Sequence, residues 1–290
     1  MTQVQLSDAE WEFIESYLPI GRFGPYPERL RQQFEGVIWG FRTGGQWREM
    51  PAEFGAWLTV HNRFRQWRDA GVFQALLEGL ITEADRRDEV DLSLVSIDST
   101  TVRAHQDAAG MHLSPDVLTA LEKAASLGRS RGGQTSKIHL AGDRRCRPLV
   151  LLLTAGQAAD SSQFIPVLNQ MRVRLPVGRP RTRPDAVAGD KAYSSRANRA
   201  HLRKCRIRAV IPEKKDQLAN RKKKGSQGGR PLDFDAELCK ERNTVERLIN
   251  KMKAWRGIAT RYDKSPDSYL AGLHLRASMI WLKDLTRATH

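Results

Sequence analysis

The middle of the chain, from residue 92 to residue 211, alternates between strand and helix patterns in one order. Short runs rich in Val, Leu, Ile and Ala predict strands at 92–97, 136–141, 148–154, 185–188 and 209–211. Apolar residues at helical spacing predict helices at 161–175 and 195–204. The order of three strands, helix, strand, helix, strand and helix predicts an α/β fold, in which helices pack on a single sheet.

This order matches the ribonuclease-H-like arrangement strand for strand, so we expect a mixed five-stranded sheet flanked by helices over residues 92–290. In that arrangement the first and fourth strands lie side by side. The first predicted strand ends at Asp98, and the fourth runs into Asp190. We therefore expect these two carboxylates to meet at one edge of the sheet.

A third carboxylate lies on the helix predicted at 241–253. On a period of 3.6 residues, Arg242, Glu246 and Lys253 share one face of this helix, beside an apolar stripe. Such a face can be a solvated surface with favourable charge pairs. It can also present an acid, between two cations, to a metal and a phosphate. The two aspartates upstream favour the second interpretation.

Three neighbouring carboxylates need a cation. They repel one another, and without a cation their pKa values would be raised. Two divalent ions about 3.5–4 Å apart relieve that repulsion and activate the attacking and leaving oxygens of a phosphoryl displacement. Oxygen ligands favour Mg²⁺, with Mn²⁺ as a substitute. We therefore expect Asp98, Asp190 and Glu246 to bind two Mg²⁺ ions.

The charge of the chain indicates its partner. A formal net charge of +15 favours a polyanion, and nucleic acid is the first candidate. No apolar run approaches the length of a membrane-spanning helix, so we expect no membrane partner. Three widely spaced cysteines and the lack of a secretory pattern at the N-terminus are typical of a reducing compartment. We therefore expect a cytoplasmic protein.

Residues 1–85 are predicted to form an all-helical domain of several short helices. One of these helices is basic and carries Arg63, Arg65 and Arg68. The pattern fits a helix-turn-helix assembly whose basic helix enters the major groove of DNA. It fits a plain helical bundle with solvated arginines equally well. In either case, the polar segment at 83–91 marks the boundary with the second domain.

Three tryptophans of this N-terminal part, Trp47, Trp57 and Trp67, are interpreted as core aromatics rather than base-stacking groups.

Further cations are candidates for DNA contact. The stretch 204–230 is strongly basic and includes Lys222, Lys223 and Lys224. The glycines and charges of residues 222–231 predict a flexible loop, which either contacts a DNA backbone or remains solvated. Lys191, next to Asp190, either touches DNA or has a packing role.

Six blocks of the sequence together resemble the DDE transposases of bacterial insertion sequences, in the insertion-sequence-four and -five group and most like the five family. In chain order they are Q-W-R-E-M-P, S-I-D-S-T-T-V-R-A-H-Q, G-R-S-R-G-G-Q-T-S-K-I-H-L, L-T-A-G-Q, G-D-K-A-Y and R-N-T-V-E-R-…-I-A-T-R-Y-D-K. The resemblance covers nearly the whole chain, and the combination of blocks is specific although each block alone is weak.

The resemblance implies that Asp98, Asp190 and Glu246 are the metal-binding triad. It also implies that Arg242 and Lys253 are the cations of a Y-x2-R-x3-E-x6-K motif.

One position departs from that motif, because Cys239 stands where the motif has tyrosine. The lost hydroxyl puts a substrate contact in doubt rather than the metal site. His105 and His139 also lie in the resembling blocks, and Asp160 follows the fourth block by three residues. We interpret all three as structural or supporting residues rather than metal ligands.

The function implied by the resemblance is DNA transposition. Such an enzyme binds the terminal inverted repeats of its own element and a target DNA, as a homo-oligomer in the bacterial cytoplasm and associated with the nucleoid. It cleaves at the ends of the element and transfers the freed strand. A Mg²⁺-dependent nuclease of the same fold would cut DNA without joining it. A DNA-binding regulator derived from a transposase would have lost the chemistry, and the intact triad argues against that alternative.

Overall fold

The computed structural model describes residues 6–19, 28–109, 127–130, 133–175, 177–228, 238 and 243–287. Its N-terminal part is helical, as predicted. The helices are α1 (Asp8–Glu15), α2 (Leu30–Thr43), α3 (Trp57–Asp69) and α4 (Val72–Arg86). Two short 3-10 turns, Trp47–Glu49 and Ala52–Phe54, connect α2 to α3.

The second part contains one mixed sheet. Its strands are β1 (Val95–Ala104), β2 (Gly128–Ser130), β3 (Gly133–Gly142), β4 (Pro148–Ala155), β5 (Ala186–Gly189), β6 (Arg208–Val210) and β7 (Thr260–Arg261). The main order across the sheet is β4-β3-β1-β5-β6, with β2 on β3 and β7 on β1. The five predicted strands and the adjacency of the first and fourth are confirmed, and two short strands extend the sheet to seven.

Helices cover the sheet and complete the chain. They are α5 (Gln106–Ala109), α6 (Asp160–Gln170), α7 (Arg196–Lys204), α8 (Lys215–Lys223), α9 (Asn243–Lys253), α10 (Arg256–Ala259) and α11 (Pro266–Arg287). None of the helices in the described ranges is both long enough and apolar enough to cross a membrane.

The first strand is longer than its sequence pattern predicts. Asp98 does not end the strand but is its fourth residue, because β1 continues to Ala104. The continuation pairs antiparallel with β3, from Ser99 opposite His139 to Arg103 opposite Thr135. The parallel pairing with β5 stops at Ile97, opposite Gly189. Asp98 therefore comes directly after the end of the parallel pairing with β5 and lies within the antiparallel pairing with β3.

The basic stretch after β6 contains helix α8, which ends at Lys223, and a 3-10 turn at Gly225–Gly228. The prediction of a flexible loop over residues 222–231 is therefore wrong where these two elements form, and residues 229–231 lie outside the described residues. No residue of α8 is buried, which is why apolar periodicity does not reveal this helix. Polar contacts hold it: Gln217 Nε2 donates to the Ser194 carbonyl at 2.7 Å. Arg221 also pairs with Glu213 at 3.1 Å. Helix α8 thus presents its lysines from a defined surface.

The longest of these helices, α11, joins the two parts of the chain. It packs on α4, and Arg87 Nη1 donates to the carbonyl of Leu285 at 3.3 Å. Buried side chains from α1–α4, the sheet and α11 form one continuous hydrophobic core. The division into domains at 1–85 and 92–290 stays a prediction.

A buried ion pair fixes the turn between β3 and β4 against α11. Arg147 donates to Asp143 through Nε at 2.9 Å and Nη2 at 2.6 Å, and both residues are at most 1% exposed. The Arg147 guanidinium also lies 4.1 Å from the ring centroid of Trp281 on α11. The Trp281 indole donates to the Pro148 carbonyl at 2.7 Å. The turn, the edge strand and α11 are therefore locked together.

We expect Arg147→Ala to lower the free energy of unfolding by about 3–5 kcal/mol, because it leaves Asp143 buried without its partner. Arg145→Ala is the matched control in the same turn, since Arg145 is exposed. Its effect should stay within about 0.5 kcal/mol. Urea unfolding of both variants measures the difference, and equal losses would show that the ion pair does not stabilise the turn.

Candidate active site

Asp98 and Asp190 are neighbours across two parallel strands. Ile97 on β1 is in register with Gly189 on β5, and the aspartates are the next residues of their chains. Adjacent strands lie about 4.8 Å apart, and residues in register point to the same face. The expected meeting of these two aspartates at one sheet edge therefore follows from the observed register.

Each aspartate is oriented by a backbone N–H of its own segment. Asp98 Oδ1 accepts from the N–H of Ser99 at 2.8 Å. Asp190 Oδ1 accepts from the N–H of Ala192 at 2.8 Å and so caps the 3-10 turn Lys191–Tyr193. Both aspartates are partly exposed, so solvent and ligands can reach them.

Helix α9 carries Glu246 and is tied to β1 at two points. Thr244 Oγ1 donates to Ser96 Oγ at 3.2 Å, and Lys253 Nζ donates to the Thr101 carbonyl at 3.1 Å. The helix therefore runs beside β1 in the same direction. Glu246 lies seven residues before Lys253, hence on the same helix face, and it is exposed. Lys253, on this face, reaches Thr101 on β1, three residues beyond Asp98.

The three acids are not arranged as a complete metal-binding site in this structure. Within the part of the chain that the structure describes, no group of three or more His, Cys, Asp and Glu side chains is close enough to hold a metal ion. Two aspartates lie side by side, and the third acid stands on a helix anchored next to them. Arg242 and Cys239 lie outside the described residues, so their predicted roles stay predictions.

A partly buried polar network lies on the opposite face of β1. Ser99 Oγ donates to Asp160 Oδ1 at 2.6 Å, and Lys137 Nζ lies 3.1 Å from the same oxygen. His139 Nε2 is 2.8 Å from Thr154 Oγ1. Ser99 also supplies the N–H that orients Asp98, so the network supports the backbone at that carboxylate.

The charges in this network are settled by burial and by its hydrogen bonds. Burial lowers the pKa of His139 to about 4, despite the nearby Asp160, so the ring is neutral at pH 7. Burial alone would raise the pKa of Asp160, but hydrogen bonds from Ser99 and Lys137 and the charge of Lys137 lower it overall. The sequence analysis names His139 and Asp160 as supporting residues but not Ser99 and Lys137, although these two also lie in the quoted blocks.

The surroundings of Tyr193 are a second indication that the aspartates lie in one region. Its side chain is 1% exposed and its ring lies 5.4 Å from that of Phe164. Burial raises its pKa well above the usual range, and the charges of Asp98, Asp160 and Asp190 add to the effect. The hydroxyl makes no well-formed hydrogen bond to any described residue. A protonated hydroxyl is thus held close to the acids.

The three arginines predicted on the basic helix have different surroundings. Arg65 is exposed and Arg63 is partly exposed on α3. Arg68 is held within the protein: its Nη1 donates to Ser268 Oγ at 2.7 Å and its Nη2 lies 2.7 Å from Asp69. Arg68 therefore connects α3 to the start of α11, which leaves Arg63 and Arg65 as the more accessible cations.

The remaining predicted cations lie on the surface: Lys191 follows Asp190 directly and is exposed, as are Lys222, Lys223 and Lys224 at the end of α8.

Two family models match the chain. Residues 90–282 match the model described as "Transposase DDE domain", and residues 6–77 match "Putative transposase of IS4/5 family (DUF4096)".

Known proteins with similar sequences agree with these models. The chain is 30% identical over 149 residues to the "Putative transposase for insertion sequence element IS6501" of Brucella ovis, covering 51% of this chain and 99% of that protein. It is 30% identical over 161 residues to the "Putative transposase for insertion sequence element IS402" of Burkholderia cepacia, covering 55% and 68%. The solved "Mos1 transposase paired-end complex with left transposon end" aligns over 93% of this chain and 82% of that chain, at 14% identity. Its TM-score of 0.26 is too low to carry an argument.

Because the catalytic-domain model spans well over half of the sequence, the chain belongs to the DDE transposase family of polynucleotidyl transferases. Its N-terminal residues match the insertion-sequence-four and -five group of that family. The expectations of a transposase and of a ribonuclease-H-like α/β fold are confirmed. Enzymes of this family use divalent metal ions.

We expect His139→Gln to reduce the dependence of stability on pH. His139 stays neutral in the folded chain down to about pH 4, whereas an unfolded histidine takes up a proton near pH 6.5. The unfolded state therefore binds more protons at His139 in this window, and the stability that this residue contributes, up to about 3 kcal/mol, is lost as pH falls from 6.5 to 4. Urea unfolding at several pH values measures this slope.

The matched control is His201→Gln on the surface helix α7, which should keep the wild-type slope. A wild-type slope in the His139 variant would mean that the ring is not held neutral by its surroundings.

Proposed function

We propose that this chain cleaves and joins DNA at a site formed by Asp98, Asp190 and Glu246, as the transposase of an insertion sequence whose ends it binds. The observation that supports this most strongly is the register of β1 and β5, which makes the two aspartates neighbours. The tether between Thr244 and Ser96 supports the inclusion of Glu246, because it holds α9 along the same strand.

The donor set fits divalent ions, and we propose that the three carboxylates bind two Mg²⁺, with Mn²⁺ as a substitute. Carboxylate oxygens are the ligands that these ions prefer. Asp98 and Asp190 offer such oxygens side by side, each already oriented by a backbone N–H. When bound, the ions supply charge stabilisation to the oxygens of the reacting phosphate.

The proposed reaction has two phosphoryl transfers. In the first, a water oxygen bonds to the phosphorus at the end of the element, the P–O3′ bond breaks, and the 3′-oxygen leaves as a hydroxyl. In the second, that 3′-hydroxyl oxygen bonds to a phosphorus of target DNA and displaces another 3′-oxygen. In each step the phosphorus forms one bond to an incoming oxygen, from water or from a 3′-hydroxyl, and loses one bond to a 3′-oxygen. A single site therefore serves both steps.

Cations of the chain position the phosphate. Lys253 Nζ uses one donor on the Thr101 carbonyl, and an ammonium has three, so two donors can face a DNA phosphate. Lys191, exposed beside Asp190, can bind the same strand. We assign Arg242 to this group as well, from the sequence motif alone.

The rest of the protein binds the DNA around the site. We propose that the helical N-terminal residues recognise the terminal repeats through Arg63 and Arg65, and that the α8 lysines contact the backbone. Contacts between the α8 lysines and phosphates would orient the DNA without reading its sequence. We further propose that the enzyme works in the bacterial cytoplasm, on the nucleoid, as a homo-oligomer assembled on DNA.

We expect Asp98→Asn, Asp190→Asn and Glu246→Gln each to abolish Mg²⁺-dependent cleavage, because each change removes a charged ligand and keeps the side-chain shape. Cleavage of a labelled duplex that carries the end of the element measures the effect. Folding and DNA binding, followed by thermal melting and gel shift, should persist.

Matched controls are Asp88→Asn and Glu12→Gln, because both acids are exposed and neither belongs to the proposed triad. Wild-type cleavage by any variant of the triad would remove that residue from the proposal.

We expect Lys253→Ala to reduce strand transfer about tenfold or more, because a misplaced phosphate cannot reach in-line geometry. Its melting temperature should change little, since a partly exposed lysine contributes little to stability. Strand transfer on a pre-cut end and thermal melting are measured side by side. Lys251→Ala is the control on the same helix, because Lys251 points to the Cys146 carbonyl at 3.3 Å instead. Equal transfer by both variants would leave Lys253 as a structural cation only.

A further inference from the structure

A cleft of about 1210 Å³ opens beside the C-terminal end of β1, between the N-terminal helices and the catalytic sheet. Three sequence segments line it: residues 44–49, residues 105–106 and residues 262–264. Each segment overlaps a block quoted above: Q-W-R-E-M-P, the A-H-Q end of the second block, and R-Y-D-K. None of these residues takes part in the carboxylate site.

The cleft is built on close backbone packing. Gly44 ends α2 at a φ of +66°, and a Cβ there would lie 2.9 Å from the Tyr262 ring and 3.2 Å from the Gly257 nitrogen. A Cβ on Gly257 would lie 2.7 Å from the Phe41 carbonyl oxygen. Because the end of α2 packs directly on the backbone at Gly257, the wall of the cleft is formed without a ligand.

Aromatic rings come from both parts of the chain. On the N-terminal side, the Trp47 ring lies 5.1 Å from that of His61, and the Arg48 guanidinium lies 5.6 Å from the Trp57 ring centroid. On the catalytic side, the His105 and Tyr262 rings are 5.0 Å apart. All five rings line the cleft. Trp67 is buried in the core, as predicted, and Trp47 and Trp57 are partly buried and pack against the core. One face of the Trp47 ring is stacked on Phe64, with the ring centroids 5.5 Å apart.

The polar groups of the cleft are mixed in charge. Arg48 and Lys264 are cations, Glu49 and Asp263 are acids, and Gln46 and Gln106 carry amides. A surface that only follows a DNA backbone would be basic throughout, because carboxylates repel phosphates. Acids and amides are instead suited to the donors and acceptors on the edge of a base. Aromatic faces beside them are suited to stacking.

We propose that this cleft binds an unpaired nucleotide of the DNA, with its base stacked among the Trp57, Trp47 and Tyr262 rings and its phosphate on Arg48. The proposal rests on the proposed function, because it requires a DNA substrate. The base edge meets the amides and acids of the cleft, and a base inside an intact duplex is stacked and paired and cannot enter.

The position of the cleft relates the captured base to the site of cleavage. Residues 98 and 105 are seven residues apart along β1, roughly 23 Å at about 3.3 Å per residue. At about 3.4 Å per base pair, that spans roughly seven base pairs of a duplex lying along the strand. The cleft would thus hold a displaced base some distance from the scissile phosphate and fix the DNA at a second point.

The test measures binding of a ten-nucleotide single strand with a central 2-aminopurine, whose fluorescence falls when the base stacks, in buffer with EDTA so that no cleavage occurs. Binding of the same sequence as a full duplex is measured in parallel. The variants are Trp57→Ala, Trp57→Phe and Arg48→Ala in the full-length chain. Arg48 is exposed, so its substitution does not threaten folding. Leu58→Ala is the control, since Leu58 is 52% exposed on α3 and does not line the cleft.

We expect Trp57→Ala and Arg48→Ala to weaken single-strand binding about tenfold and Trp57→Ala to abolish the quenching. Trp57→Phe should restore most of it, Leu58→Ala should match the wild type, and duplex binding should stay within about twofold.

Unchanged single-strand binding and quenching in both variants would overturn the proposal. Equal weakening of single strand and duplex would also overturn it, because the cleft would then be a backbone surface. A change in sedimentation without a change in binding would identify the cleft as a contact between copies instead. If the wild-type chain binds neither form of DNA, the proposed function is contradicted as well. If the wild-type chain binds and cleaves DNA but Trp57→Ala and Arg48→Ala bind single strands as the wild type does, only the cleft proposal is contradicted.

Discussion

The pairing of β1 on its two sides is the constraint on which the rest of the structure depends. One side pairs with β3 along most of its length, whereas the parallel pairing with β5 ends at Ile97. A strand held on one side and released on the other is rigid yet leaves polar side chains accessible. Asp98 is the first residue after this release, and Asp190 is its counterpart directly after β5. A shift of one residue in the register between β1 and β5 would place the two carboxylates on opposite faces of the sheet.

Both faces of β1 at this point are occupied by supporting contacts. On one face, Thr244 and Lys253 hold α9 to the strand, so that Glu246 is carried by a fixed helix. On the other, Ser99 is bonded to Asp160 within a network that includes a neutral histidine. Buried polar groups with partners resist displacement, because breaking one bond leaves the other group unsatisfied. The carboxylates therefore stand on a backbone held from two sides.

The N-terminal helices depend on the C-terminal end of the chain. Helix α11 packs on α4, and the buried Arg147–Asp143 pair ties the β3–β4 turn to α11 through Trp281. Arg68 reaches Ser268 at the start of the same helix. Residues far apart in sequence thus share one core, and the cleft opens where α2, β1 and the segment after α10 come together.

The sequence by itself determined the order of the elements, the neighbours of the main strands and the three acids of the candidate site. It could do so because alternation and helical periodicity record which side of each local segment is buried, and few topologies connect such an order. Only the tertiary structure decided how far β1 extends, since residues 99–104 become a strand by pairing with β3 and β7. It also decided that α8 is a helix, through Gln217 on Ser194, although no apolar stripe marks it. The packing of α11 and the aromatic cleft were also decided only by the tertiary structure. The residues that α11 contacts lie up to about two hundred positions away in the chain, and no local sequence pattern records such contacts.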